Sequence, residues 1–260
     1  MCFTDDDKIY RVELLTGRAA DILWRPAIVK PNSGVPGSNV SISGVGFPYL
    51  TSPPENRPAW EFGGTRVFIG GYPTPILDSN FYGLTVQAPW GLSTLAGQRV
   101  PILIDSGNGY LVDGSFDVLP PQIVFEKNYL GEVLSTRQGT NLEVGTDAPL
   151  LPGDIVAMKV TGLGPVNVTV PTGEVSPTGP YAHTILPVTC GTGTSFDSLD
   201  VYFSGLAPNE VGTYRIVMKV PVDAKASYRT AGGDSFDFDF HCTLGNDRSA
   251  GGLLNVKLAK

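Results

Sequence analysis

The sequence holds little of what most chemistry needs. Two histidines, His183 and His241, and three cysteines are all that occur in 260 residues. Charged residues make up only 17%, with 18 Lys and Arg against 25 Asp and Glu, a net charge of −7. Nucleic-acid binding needs clustered Lys and Arg to neutralise phosphates, and no cluster occurs, so that class is excluded. No apolar run approaches the ~20 residues of a membrane-spanning helix. No G-x-x-x-x-G-K-[ST] loop is present to cradle a nucleotide phosphate. Amphipathic helical periodicity is missing throughout. No cofactor and no metal are expected.

Glycine and proline are abundant instead, at 32 and 22 residues, while the hydrophobic share stays at 42%. That combination signals many turns around real cores rather than disorder. The chain also repeats itself. Val35-Pro36-Gly37-Ser38-Asn39-Val40-Ser41-Ile42-Ser43-Gly44-Val45-Gly46-Phe47 is echoed by Leu151-Pro152-Gly153-Asp154-Ile155-Val156-Ala157-Met158-Lys159-Val160-Thr161-Gly162-Leu163-Gly164. More loosely, Val67-Phe68-Ile69 up to Gln87-Ala88-Pro89 parallels Val201-Tyr202-Phe203 up to Lys219-Val220-Pro221. A period of roughly a hundred residues means tandem domains rather than a solenoid.

Short β-type runs separated by turn signals fill both repeats, at the spacing of a sandwich. In the first these include Asn39–Ser43, Thr65–Ile69, Thr74–Leu77, Gly83–Gln87 and Arg99–Ile104. In the second they include Ile155–Val160, Thr184–Cys190, Leu199–Phe203, Gly212–Val220 and Ser235–Cys242. Ser235-Phe236-Asp237-Phe238-Asp239-Phe240 alternates strictly, aromatics on one face and carboxylates on the other. Pro120-Pro121 is a rigid boundary. The expected division is an N-terminal β-hairpin or arm (1–25), a first sandwich (26–120) and a second (121–260), an all-β fold. The hairpin arms are expected at Lys8–Leu14 and Ala20–Trp24, around Leu15-Thr16-Gly17-Arg18. Ile9, Tyr10, Val12, Leu14, Ile22 and Trp24 would then suit an intermolecular strand contact at a neighbour's sheet edge, or docking on the chain's own first domain.

Pro26-Ala27-Ile28, Pro31-Asn32-Ser33-Gly34 and Gly44-Val45-Gly46-Phe47 resemble the opening of IPT/TIG immunoglobulin-like domains. Gly63 to Leu77 and Val86-Gln87-Ala88-Pro89-Trp90 resemble more closely an uncharacterised β-rich module at the C-termini of large secreted, mostly acidobacterial proteins. Pro152-Gly153-Asp154-Ile155-Val156, Phe203-Ser204-Gly205-Leu206-Ala207-Pro208 and Val211-Gly212-Thr213-Tyr214 extend the resemblance to about Leu258. Arg215-Ile216-Val217 departs from it, and residues 224–252 look lengthened. The resemblance implies immunoglobulin-like sandwiches and export, to an extracellular or cell-surface location, and no activity. Read as a native start, Met1-Cys2-Phe3-Thr4-Asp5-Asp6-Asp7 has neither the basic start nor the apolar core of a leader.

Each candidate for chemistry has a structural reading beside it. Ile102-Leu103-Ile104-Asp105-Ser106-Gly107 matches the aspartic-protease signature, in which two carboxylates share a proton. The second repeat has no copy, and Ser106-Gly107-Asn108-Gly109 reads as a hairpin turn. Neither histidine sits in a nucleophile-elbow context, and Gly193-Thr194-Ser195 is not a G-x-S-x-G turn. Cys190 and Cys242 either form one disulfide or stay buried thiols; with His241 they fall short of a zinc site. Asp5-Asp6-Asp7 and the pair Asp237, Asp239 lack the EF-hand spacing of a Ca²⁺ site. Tyr49, Trp60, Tyr72 and Trp90, with Phe62, Phe81 and Tyr82, concentrate in the first repeat, where they serve either as a glycan or partner contact or as core plugs. The expected function is a non-catalytic structural or interaction module, self-assembling or bound to other surface proteins. A carbohydrate-binding module is the alternative, and a hydrolase around Asp105 a more distant one.

Overall fold

Alternating apolar positions and frequent turns leave the backbone one way to satisfy its donors and acceptors, which is pairing between strands. A computed structural model of the chain bears this out over residues 2–5, 8–11, 27–28, 32–45, 47, 58–106, 111–140, 142–192, 197–224, 228–229 and 235–257, which are the residues described. Among them the one helical element is a 3-10 segment, Trp90–Leu95.

At the N-terminus β1 (Cys2–Asp5) pairs with β2 (Lys8–Arg11) as a two-stranded ribbon, Phe3 opposite Tyr10. The hairpin is present, but its arms differ from the expected ones. Ile9 and Tyr10 lie in β2; Val12, Leu14, Ile22 and Trp24 lie outside the described residues.

The first sandwich comprises β3 (Ala27–Ile28), β4 (Asn32–Gly34), β5 (Asn39–Val45), β6 (Arg66–Ile69), β7 (Tyr72–Thr74), β8 (Ile76–Asn80), β9 (Gly83–Gln87), β10 (Arg99–Asp105) and β11 (Leu111–Val118). One sheet runs β4-β11-β10-β6-β7 and the other β3-β5-β9-β8. Only β4 and β11 pair in parallel; the other partners are antiparallel. Thr74–Leu77, expected as one strand, divides at Pro75, which has no N–H for a ladder. There the chain leaves one sheet and enters the other.

The second sandwich comprises β12 (Val124–Phe125), β13 (Ser135–Arg137), β14 (Ile155–Thr161), β15 (Val188–Thr192), β16 (Asp197–Leu199), β17 (Val201–Leu206), β18 (Tyr214–Lys219), β19 (Tyr228–Arg229), β20 (Ser235–Leu244) and β21 (Asp247–Lys257). Its sheets run β12-β14-β18-β17 and β21-β20-β15-β16, with β13 on the edge of β14 and β19 on β20. Apart from β4, β13 and β19, this order repeats that of the first sandwich. Leu150 even pairs in parallel with Val256, as Gly34 does with Val118. Both orders, four strands facing a sheet built on the last two strands, are those of the immunoglobulin fold. The chain is two tandem immunoglobulin-like β-sandwiches.

The topology corrects one correspondence read from the sequence. Val201-Tyr202-Phe203 lies in β17, the counterpart of β8, so it cannot match Val67-Phe68-Ile69 in β6. The counterpart of β6 is β15, which puts Cys190-Gly191-Thr192 in that place. Leu199–Phe203, expected as one strand, divides at Asp200, just as the first sandwich divides at Pro75. Two cores result. One gathers Ile42, Ile69, Ile76, Leu84, Ile102 and Phe116; the other gathers Met158, Ile216, Phe236, Phe238, Phe240 and Leu254. The alternation of β20 behaves as read, with its three phenylalanines buried and Asp239 exposed.

Candidate functional site

The most elaborated polar constellation among the described residues lies where the two sandwiches meet. The Pro36-Gly37 turn and the start of β5 present Ser38 and Asn39, and the end of β9 presents Gln87. Ser38 and Gln87 are buried although polar, so each needs partners to offset lost hydration. The backbone N–H of Gly162 donates to Ser38 Oγ at 3.0 Å. Asn39 Nδ2 donates to the Val211 carbonyl at 2.9 Å and Thr213 Oγ1 at 3.3 Å, and the Asn39 N–H donates to the Gly212 carbonyl at 3.2 Å. Gln87 Nε2 donates to the Gly37 carbonyl at 3.1 Å, while its Oε1 accepts from the Gly173 N–H at 2.6 Å.

Tyr214, the first residue of β18, completes the joint. Its hydroxyl donates to the Gly164 carbonyl at 2.7 Å and is hydrogen-bonded by Ser38. Burial raises the phenol well above its ordinary pKa, and the Ser38 hydrogen bond acts in the opposite direction. The net effect keeps Tyr214 neutral. Hydrogen bonds therefore run across the joint, linking the Gly162 N–H, Ser38, the Tyr214 hydroxyl and the Gly164 carbonyl.

Two of the expected aromatic contacts belong to this joint. Trp90 packs against the core of the second sandwich, and its backbone N–H donates to Thr172 Oγ1 at 3.1 Å. Its ring also covers Gly37, where a Cβ would lie 2.1 Å from the indole on a backbone of φ +84°. Only glycine fits there. Trp60 lies over Gly173 of the second sandwich and beside Pro75, with about half its surface exposed. Tyr72 rests on Gly91 and is partly exposed. Tyr49 lies outside the described residues.

The remaining candidates are engaged elsewhere. Cys190 and Cys242 are joined by a disulfide between directly paired residues of β15 and β20. Oxidised sulfurs of this kind are not thiolate ligands for zinc. By topology the bridge occupies the place where the first sandwich sets buried Val67 opposite buried Ile104. Asp105 ends β10, opposite Arg66, and pairs with it at 2.5 Å. The His183 ring lies 5.0 Å from that of Phe203, and the His183 backbone N–H donates to Asn167 Oδ1. His241 sits in β20 opposite Gly191. Among the described residues no group of three or more His, Cys, Asp or Glu converges on a metal position. No described helix is long and apolar enough to cross a membrane.

Ser38, Asn39, Gln87 and Tyr214 were not legible as site residues from the sequence. The available signal was a buried register position filled by a polar side chain: Gln87 follows Val86 at the end of an apolar strand.

No family model and no curated protein matches the chain. Among solved structures it overlaps an auxiliary nutrient binding protein from Bacteroides ovatus at 11% identity, over 67% of this chain and 42% of that one, with a TM-score of 0.24. It overlaps the N-terminal eight Ig domains of Down syndrome cell adhesion molecule at 10% identity, over 90% of this chain and 24% of that one, with a TM-score of 0.23. It overlaps the N-terminal Ig1-2 module of the Drosophila receptor protein tyrosine phosphatase DLAR at 9% identity, over 91% and 96% of the two chains, with a TM-score of 0.21. The chain thus spans less than half the length of the first two. Scores this low carry nothing about activity or partners, and the fold stands on the strand pairings.

Proposed function

We propose that this chain is a non-catalytic extracellular structural module, a rigid pair of immunoglobulin-like sandwiches (26–120 and 121–260) that binds other protein chains, its own copies included. The joint carries this reading. Hydrogen bonds from Ser38, Asn39 and Gln87, a shared Tyr214 hydroxyl and the Trp90 plug hold the two sandwiches as one body. A stiff spacer suits a scaffold. The disulfide supports an oxidising, exported setting, as does the resemblance of the first repeat to IPT/TIG domains. Asp105, paired to Arg66, is accounted for without catalysis.

Sedimentation of the full chain over a concentration series tests the reading. Average mass should rise with concentration. A monomer at every concentration would remove self-association from the proposal. Panels of peptide and glycoside substrates test the non-catalytic half, and turnover lost in Asp105→Asn would defeat it.

The exposed faces of Trp60 and Tyr72 favour a second reading, glycan binding by ring stacking. Glycan-array binding abolished in Trp60→Ala, with the fold intact, would establish it over pure scaffolding.

A further inference from the structure

The joint between the sandwiches has two sides, and each side recurs at a free end of the pair. On the presenting side, the Gly37 N–H donates to the Ala88 carbonyl and the Ala88 N–H to the Ser38 carbonyl. The same two bonds recur in the second sandwich, from Gly153 to Val220 and from Val220 to Asp154. Asp154, Ile155, Lys219 and Val222 therefore stand where Ser38, Asn39, Gln87 and Trp90 stand. On the receiving side, Tyr214 faces Val160 of β14. The first sandwich puts Tyr82 at that register position, where its carbonyl accepts from the Gly44 N–H of β5. Phe81 precedes it, as Thr213 precedes Tyr214.

Exposure separates the used joint from the unused one. Tyr214 is fully buried, whereas Tyr82 is 68% exposed. Trp90 packs on the neighbouring core, whereas its counterpart Val222 is 72% exposed, with Leu151 and Ile155 exposed beside it. The chemistry changes in step on both sides. Within the chain Asn39 bonds to Thr213; at the free ends Ile155 replaces Asn39 and Phe81 replaces Thr213. A polar pair has become an apolar pair at both ends together.

We infer that the Leu151, Ile155 and Val222 end of the second sandwich seats on the Phe81 and Tyr82 end of the first sandwich in a second copy of this chain. The contact repeats the internal joint with an apolar centre. Because it joins different surfaces, it is heterologous and grows head to tail. It rests on the self-association reading and names its surfaces.

Val222→Asp blocks the presenting end and Tyr82→Asp the receiving end, both at exposed positions, with folding checked by circular dichroism. Wild type should grow beyond a dimer with concentration. Each variant alone should lose growth, its association weakened roughly tenfold or more, the scale of a lost hot spot. An equimolar mixture, keeping one intact end on each partner, should form a dimer and stop there. Ile155→Asp and Phe81→Asp repeat the design should either first variant fail to fold. Assembly unchanged in the variants, or a mixture no heavier than its components, overturns this contact while leaving self-association standing. A wild type monomeric throughout overturns both.

Discussion

Ser38 of the first sandwich hydrogen-bonds the Tyr214 hydroxyl of the second, and that hydroxyl donates a hydrogen bond to the Gly164 carbonyl. The pair ties the start of one repeat to the seventh strand of the other. It is the polar centre of a joint otherwise sealed by Trp90.

Tyr214→Phe removes that centre. Ser38 and the Gly164 carbonyl then lose a buried partner, which should cost about 1–3 kcal/mol of stability in a denaturant titration. Unchanged stability would mean that water replaces the hydroxyl without loss.

The same residue sets an alkaline limit. Its folded pKa is raised above the ordinary 10.0, so the folded state holds a proton that the unfolded state releases. The contribution is complete below about pH 10 and declines as pH rises above it, by up to about 1.4 kcal/mol per pH unit. Wild type should therefore lose stability faster than Tyr214→Phe above pH 10. Parallel decline of the two would refute the linkage.

Gly37→Ala places a Cβ against the Trp90 ring on a positive-φ backbone. We expect a loss of about 2 kcal/mol or more. Wild type should unfold in one calorimetric transition because the joint couples the sandwiches, and the variant in two. Two transitions in wild type would show that the joint is weaker than its hydrogen bonds suggest.

Reducing the Cys190–Cys242 disulfide, which spans 52 residues, should destabilise the second sandwich by about 4 kcal/mol on the chain-entropy estimate. Cys190→Val with Cys242→Ile imitates the apolar pair of the first sandwich and should recover part of the loss through packing. Fluorescence-monitored unfolding with and without reductant measures both.

Asp105→Asn should change stability by no more than about 1 kcal/mol, because Arg66 is half exposed and surface pairs contribute little. A larger loss in thermal unfolding would give this pair a structural weight that its exposure does not suggest.

Much of the architecture is local and was legible in the sequence. Alternation across Ser235–Phe240 selects a strand because side chains point to opposite faces every second residue. The Pro36-Gly37 and Pro152-Gly153 turns mark equivalent corners because proline and glycine favour turn dihedrals wherever they stand. Fold class, tandem repetition and the Gln87-Ala88-Pro89 to Lys219-Val220-Pro221 match follow from such patterns. Tertiary structure alone decided that Cys190–Thr192, not Val201–Phe203, is the counterpart of Val67–Ile69. It also decided that Ser38 meets Tyr214. A period of two fixes which face a residue takes but not which sheet its strand joins, and contacts between distant segments depend on how whole sandwiches pack.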